Sequence, residues 1–153
     1  METLPKGVTG FDAPEKLVSI ESFELPCQSL VRRLRGGIVY TRRAYAEVTP
    51  NFHEVHVKLS TGESEGISIL CNAHFPIVAF AQPVRRPGDL RVRFLDCPYA
   101  ADDFKKKFTI MTRAEAEAGI SPTMILKLGP AELDQMRYWN PTRLGDLVFN
   151  FWD

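Results

Sequence analysis

Two short motifs in this chain place zinc-type donors on either side of a polar turn: His53-Glu54-Val55-His56 and Cys71-Asn72-Ala73-His74. Imidazole nitrogen and thiolate sulfur are the donors zinc prefers, and each pair has a spacing that can chelate. Strand geometry opposes a four-ligand site. Residues three apart on a strand point to opposite faces, so His53 and His56 share an ion only if one lies beyond the strand end. The three-ligand set of His53, Cys71 and His74 is the form in which zinc binding survives. Against it stands an ordinary arrangement, in which Cys71 fills the core and His56 is solvated.

Gly62-Glu63-Ser64-Glu65-Gly66 matches the G-x-S-x-G pattern of a nucleophile elbow. An elbow requires a strand before it and a helix after it. Here an alternating strand pattern follows, and two glutamates beside the serine disfavour the anionic intermediate of acyl transfer. The stretch reads as a hairpin connection. Thiol chemistry has two candidates. Cys97 sits at an expected helix start with Asp96 beside it, and Cys71 could pair with His74 only if the chain turns back. No third group that would orient either pair is identifiable. Asp102 and Asp103 are adjacent and diverge on a helix, and Lys105-Lys106-Lys107 reads as an exposed helix face.

Arginine is placed unevenly. Arg32, Arg33, Arg35, Arg42 and Arg43 fall in an acid-free stretch, and Arg85, Arg86, Arg91 and Arg93 form a second group. On adjacent strands the two would make an arginine-lined sheet face suited to an acidic protein or to phosphate. Lysine plus arginine (19) equals aspartate plus glutamate (19), so no global field favours nucleic acid, and a protein partner is the better expectation. Both tryptophans, Trp139 and Trp152, lie in the aromatic run of residues 138–153. As a helix capped by Thr142, that run places Leu144, Leu147, Val148 and Phe151 on one stripe. As a strand it would group Leu147, Phe149 and Phe151. The helix is favoured, which leaves Phe149 and Trp152 over as contact residues.

The elements that must position these groups change in type along the chain. Residues 1–15 carry Pro5, Gly7, Gly10 and Pro14 and read as an extended lead-in. Residues 17–95 read mostly as strands, with 37–48 rich in β-branched and aromatic residues. Val55, Val57 and Leu59 alternate with polar residues, and Ile67, Ile69 and Cys71 alternate with Ser68, Leu70 and Asn72. Residues 76–81 and 90–95 supply two more strands around a turn at 85–89. The segment 30–35 also fits a helical stripe. Beyond residue 95, Thr112 and Glu115 fit a capping box, and Gly119 a helix stop. Residues 123–128 suggest one further strand. Pro130 opens a helix that Asn140-Pro141 ends.

The expected fold is α+β: one domain over residues 1–153, with a mostly antiparallel sheet of about 5–7 strands and C-terminal helices packed on one face. No segment approaches the roughly 20 apolar residues of a membrane span. Three scattered cysteines do not form a disulfide framework, and a cytoplasmic protein is expected. The expected function is binding of another protein, in a regulatory or toxin-neutralising role, without catalysis or cofactor. The contact residues would be Arg42, Arg43, Arg91, Arg93, Phe149 and Trp152. The alternative is a metal-binding protein or hydrolase centred on His53, His56, Cys71 and His74.

Overall fold

Strands β2 (Phe52–Lys58) and β3 (Ile67–Asn72) form the middle of a six-stranded, mostly antiparallel sheet in an α+β domain. The computed structural model describes residues 2–60, 66–83 and 91–153. β1 (Gly37–Arg42) pairs with β2, and β4 (Ile77–Ala81) with β3. Two short strands share the far edge of β4: β5 (Phe94–Leu95) antiparallel and β6 (Thr109–Ile110) parallel. The connection expected at residues 62–66 and the turn at 85–89 lie outside the described residues, apart from Gly66.

Both faces of the sheet are covered. Alternation along β3 sends Ile67, Ile69 and Cys71 to one face and Ser68, Leu70 and Asn72 to the other, and all six are buried. The first face packs under α1 (Ile20–Arg33), where Val55, Val57, Val78 and Phe80 meet Phe23, Cys27 and Leu30. The second face holds Phe52, Leu70 and Ala79 in one cluster with Leu4 and Val8 from the N-terminal segment. Leu144, Leu147, Val148 and Phe149 complete it from the far end of the chain.

Helix α1 corrects the expectation of strands from residue 17 onward. Its hydroxyl cap is Ser19, whose Oγ accepts the Ser22 N–H at 3.2 Å. Ile20, Phe23, Cys27, Leu30 and Val31 form the buried stripe, and Arg32 and Arg33 complement the dipole in the last turn. Pro26 stands inside this helix and removes one backbone bond. That costs about 3 kcal/mol in a helix interior, and the buried stripe offsets it. β1 stops at Arg42, so residues 43–48, expected as strand, belong to the connection into β2.

The later helices are short: α2 (Ala101–Phe104), α3 (Arg113–Glu117), α4 (Pro130–Trp139) and α5 (Gly145–Val148). The Thr112–Glu115 capping box, Pro130 at the start of α4 and the left-handed Asn140 at its end all form as their sequence signals indicate. The strand expected at 123–128 is instead a 3-10 turn, Pro122–Ile125, which leans Met124 and Ile125 on the second core cluster. The terminal run makes one helical turn and then extends at Phe149 (φ −131°, ψ 97°). Gly145 permits that turn to close, because a Cβ there would stand 2.5 Å from the Phe94 ring.

The N-terminal segment is no loose lead-in. Leu4, Val8 and Thr9 are fully buried, and Gly7 takes a positive φ of 93° that suits its missing side chain. Its partner is Glu132, itself fully buried on α4. The Glu132 carboxylate accepts the Gly7 N–H at 2.7 Å, the Thr9 N–H at 3.1 Å, the Thr9 hydroxyl at 2.6 Å and the Gly129 N–H at 3.0 Å.

Three buried asparagines make the second tie. Asn51 and Asn72 each donate their amide N–H groups to the Val8 and Val148 carbonyls, at 2.8–3.0 Å. Asn51 Oδ1 accepts the Asn150 N–H, and the Asn51 N–H bonds to the Asn150 carbonyl. Asn150 donates its side-chain amide to the Thr9 and Leu147 carbonyls.

Removing Glu132 as Glu132→Ala leaves four donors without their acceptor and should lower the unfolding free energy by about 3 kcal/mol or more. Asn72→Asp, of nearly the same shape, turns a donor pair toward two carbonyls into acceptors and should cost a comparable amount. Urea denaturation measures both. A loss below about 1 kcal/mol in each would show that these bonds do not hold the chain ends.

Candidate functional site

The β2–β3 register sets His53 directly opposite Cys71, so the two donor motifs do come together. They do not converge on an ion. His53 is buried, and both ring nitrogens are engaged: Nδ1 accepts the Ala44 N–H at 2.9 Å, and Nε2 donates to the Val18 carbonyl at 2.7 Å. Its ring stacks on Phe23. Cys71 lies under α1, and His74 Nδ1 donates to the Lys16 carbonyl at 3.3 Å. His56 faces the other side of the sheet, edge-on to Tyr40. Among the described residues no group of three or more histidine, cysteine, aspartate or glutamate side chains could hold a metal. His53 is a buried structural brace between two backbone segments.

Cys27, Cys71 and Cys97 are all free and buried. Burial pushes each thiol pKa up, for Cys27 and Cys71 most strongly, which holds the nucleophilic thiolate to a minute fraction. Ser64 of the elbow-like motif lies outside the described residues.

Among the described residues the two arginine groups do not form one face. β1 and β5 are opposite ends of the sheet order, with β2, β3 and β4 between them, so Arg42 and Arg43 are separated from Arg91 and Arg93. Arg42 pairs with the fully buried Glu54 at 2.9 Å and stacks on Phe52. Tyr40 and Ser68 also donate to that carboxylate, at 3.0 and 2.5 Å. Burial, then the Glu54 charge, pushes the Tyr40 phenol up to about 12. This cluster neutralises a buried charge. Arg43 pairs with Glu21 at 2.8 Å on the surface, and Arg91 and Arg93 are exposed. Arg85 and Arg86 lie outside the described residues.

Phe149 and Trp152 part company. Phe149 is 2% exposed, packed against Phe52 and Phe94 in the second core cluster, and is removed from the contact residues. Trp152 is half-buried, stacks parallel on Trp139 at 6.4 Å and lines a groove of about 860 Å³.

Three separate segments wall this groove: residues 9–15, residues 45–49 with Asn51, and Trp152–Asp153, with Ala73 and His74 between them. Tyr45 and Val48, on one wall of it, are 59% and 56% exposed. Four carboxylates line it, Asp12, Glu15, Glu47 and Asp153, and no lysine or arginine does. Asp12 turns away, its Oδ2 accepting the Ala131 N–H at 2.8 Å at the start of α4. The carboxylates of Glu15, Glu47 and Asp153 make no ion pair or side-chain hydrogen bond among the described residues. In the sequence Tyr45, Glu47 and Val48 carry no mark of a site, because 37–48 has strand composition throughout. The available signal was Pro50, which interrupts that pattern just beyond them.

Burial holds His53 neutral by lowering its pKa from the ordinary 6.5. In the unfolded chain the ring protonates first, so folding stability is undiminished above pH 6.5 and declines as pH falls below it. Two-dimensional ¹⁵N spectra of the imidazole should show the His53 Nε2–H tautomer persisting below that pH. All three thiols should resist iodoacetamide in the native state and react once urea unfolds the chain.

No family model, curated protein or solved structure matches this chain.

Proposed function

We propose that this protein works by binding another protein, with the groove between residues 9–15, 45–49 and 152–153 as its contact site. The observation that carries this is the exposure of Tyr45 and Val48 beside Trp152 on the walls of one concavity. Aromatic side chains that offer large area at small entropic cost are enriched at interface hot spots. The groups that would serve catalysis are committed elsewhere: the thiols to the core, His53 to two backbone partners and Glu54 to Arg42. Regulation or toxin neutralisation by occupying a partner's surface needs no chemistry beyond this. Three free buried thiols support a reducing compartment, the cytoplasm. Among the described residues no helix is long and apolar enough to cross a membrane.

The test is affinity capture with the intact protein, followed by cross-linking that maps the contact. Tyr45→Ala and Val48→Asp should each abolish the captured complex while shifting the melting temperature by no more than about 2 °C, since both side chains are largely solvent-exposed. Arg91→Glu with Arg93→Glu, on the far edge of the sheet, should leave the complex intact. Cross-links that fall on the Arg91–Arg93 edge and avoid the groove would refute the site.

A further inference from the structure

We infer that the groove takes a basic segment of its partner, a stretch of chain carrying lysine or arginine among apolar residues. This rests on the protein-binding reading above and adds the chemistry of the occupant. The chain is neutral overall, with 19 basic and 19 acidic residues, yet the groove lining holds four carboxylates and no lysine or arginine. Lys16, the neighbour of Glu15, lies outside the lining. Asp12 is spent on the start of α4, whereas Glu15, Glu47 and Asp153 are uncompensated.

Uncompensated like charges around a concavity repel one another, and an incoming cation relieves that repulsion as it adds its own attraction. Lysine and arginine bring a second fit. Their aliphatic stems cover apolar surface while the charged head stays near water, which suits walls that alternate Tyr45, Val48 and Trp152 with carboxylates. Aromatic faces also attract cations directly. An acidic segment would meet three unpaired carboxylates, and a purely apolar one would leave them desolvated without a partner. The complementary charge therefore selects a basic occupant and speeds its capture.

Three short fluorescein-labelled peptides, identical in their apolar residues and carrying lysine and arginine, glutamate, or serine at the polar positions, test this on the full-length protein. Trp152 lines the groove and stacks on Trp139, so tryptophan fluorescence reports occupancy beside peptide anisotropy. The basic peptide should bind most tightly and weaken at least about tenfold between 20 mM and 500 mM salt, as screened surface charges require. Glu15→Gln with Glu47→Gln, both on the surface, should weaken it about fivefold with an unchanged melting temperature. Tyr45→Ala should weaken it at both salt concentrations.

Equal binding of the basic and serine peptides, or indifference to the paired Gln substitution, overturns the charge assignment. If the serine or glutamate peptide then binds and Tyr45→Ala weakens it, the groove remains a protein site with a different occupant. If none of the three peptides perturbs the tryptophans and cross-links also avoid the groove, both the occupant and the site fall. Concentration-dependent dimers that dissociate on replacing Lys105, Lys106 and Lys107 with glutamate would identify a second copy as the occupant and overturn an external partner.

Discussion

Glu132 and the three asparagines Asn51, Asn72 and Asn150 hold the two ends of this chain against its sheet, and most of the structure depends on that arrangement. Each amide is used on both its donor and its acceptor side, which keeps a buried polar set from being a liability. A half-satisfied version would cost more than an apolar one of the same shape. These bonds also decide geometry that hydrophobic burial leaves open. Leu4, Val8, Leu147 and Val148 would be content in several registers, whereas a carbonyl must meet its amide at one position.

The same logic explains the groove. Its walls come from segments adjoining the asparagine set: residues 9–15 continue from Val8 and Thr9, residues 45–49 lead into Asn51, and Trp152 follows Asn150. The loops themselves carry little core of their own. Their placement is inherited from the polar ties beneath them, with Asp12 fixed in turn to the start of α4. Exposed aromatics and unpaired carboxylates are thereby presented from a firm base.

What the sequence revealed divides along the range of the interactions involved. The Thr112–Glu115 box, Pro130, Asn140 and the alternation of β2 and β3 were legible because their causes lie within a few residues. Helix α1 was legible only as the helical alternative at 30–35, because Pro26 argues against a helix locally and only the packing of Phe23, Cys27 and Leu30 under the sheet overrides it. Phe149 was misplaced for a related reason. Continuing the helix would have exposed it, but Asn51 captures Asn150 and turns the chain into an extended path that buries the ring. Glu132 and the asparagines gave no advance sign, since their partners stand up to 141 positions away. The site followed suit: Trp152 was visible as an aromatic beyond the docking stripe, but Tyr45, Glu47 and Glu15 gain meaning only when three distant segments meet.

That meeting has a consequence in time. The bonds between Gly7 and Glu132, and between Thr9 and Asn150, join residues 125 and 141 positions apart, so the earlier segment is synthesised well before its partner. Until residues 145–153 are available, the second face of the sheet lacks Leu147, Val148 and Phe149, and the groove lacks one wall. Contacts of such long separation form late and together. The groove therefore has no partial form: its walls are set in the same step that completes the second face of the sheet.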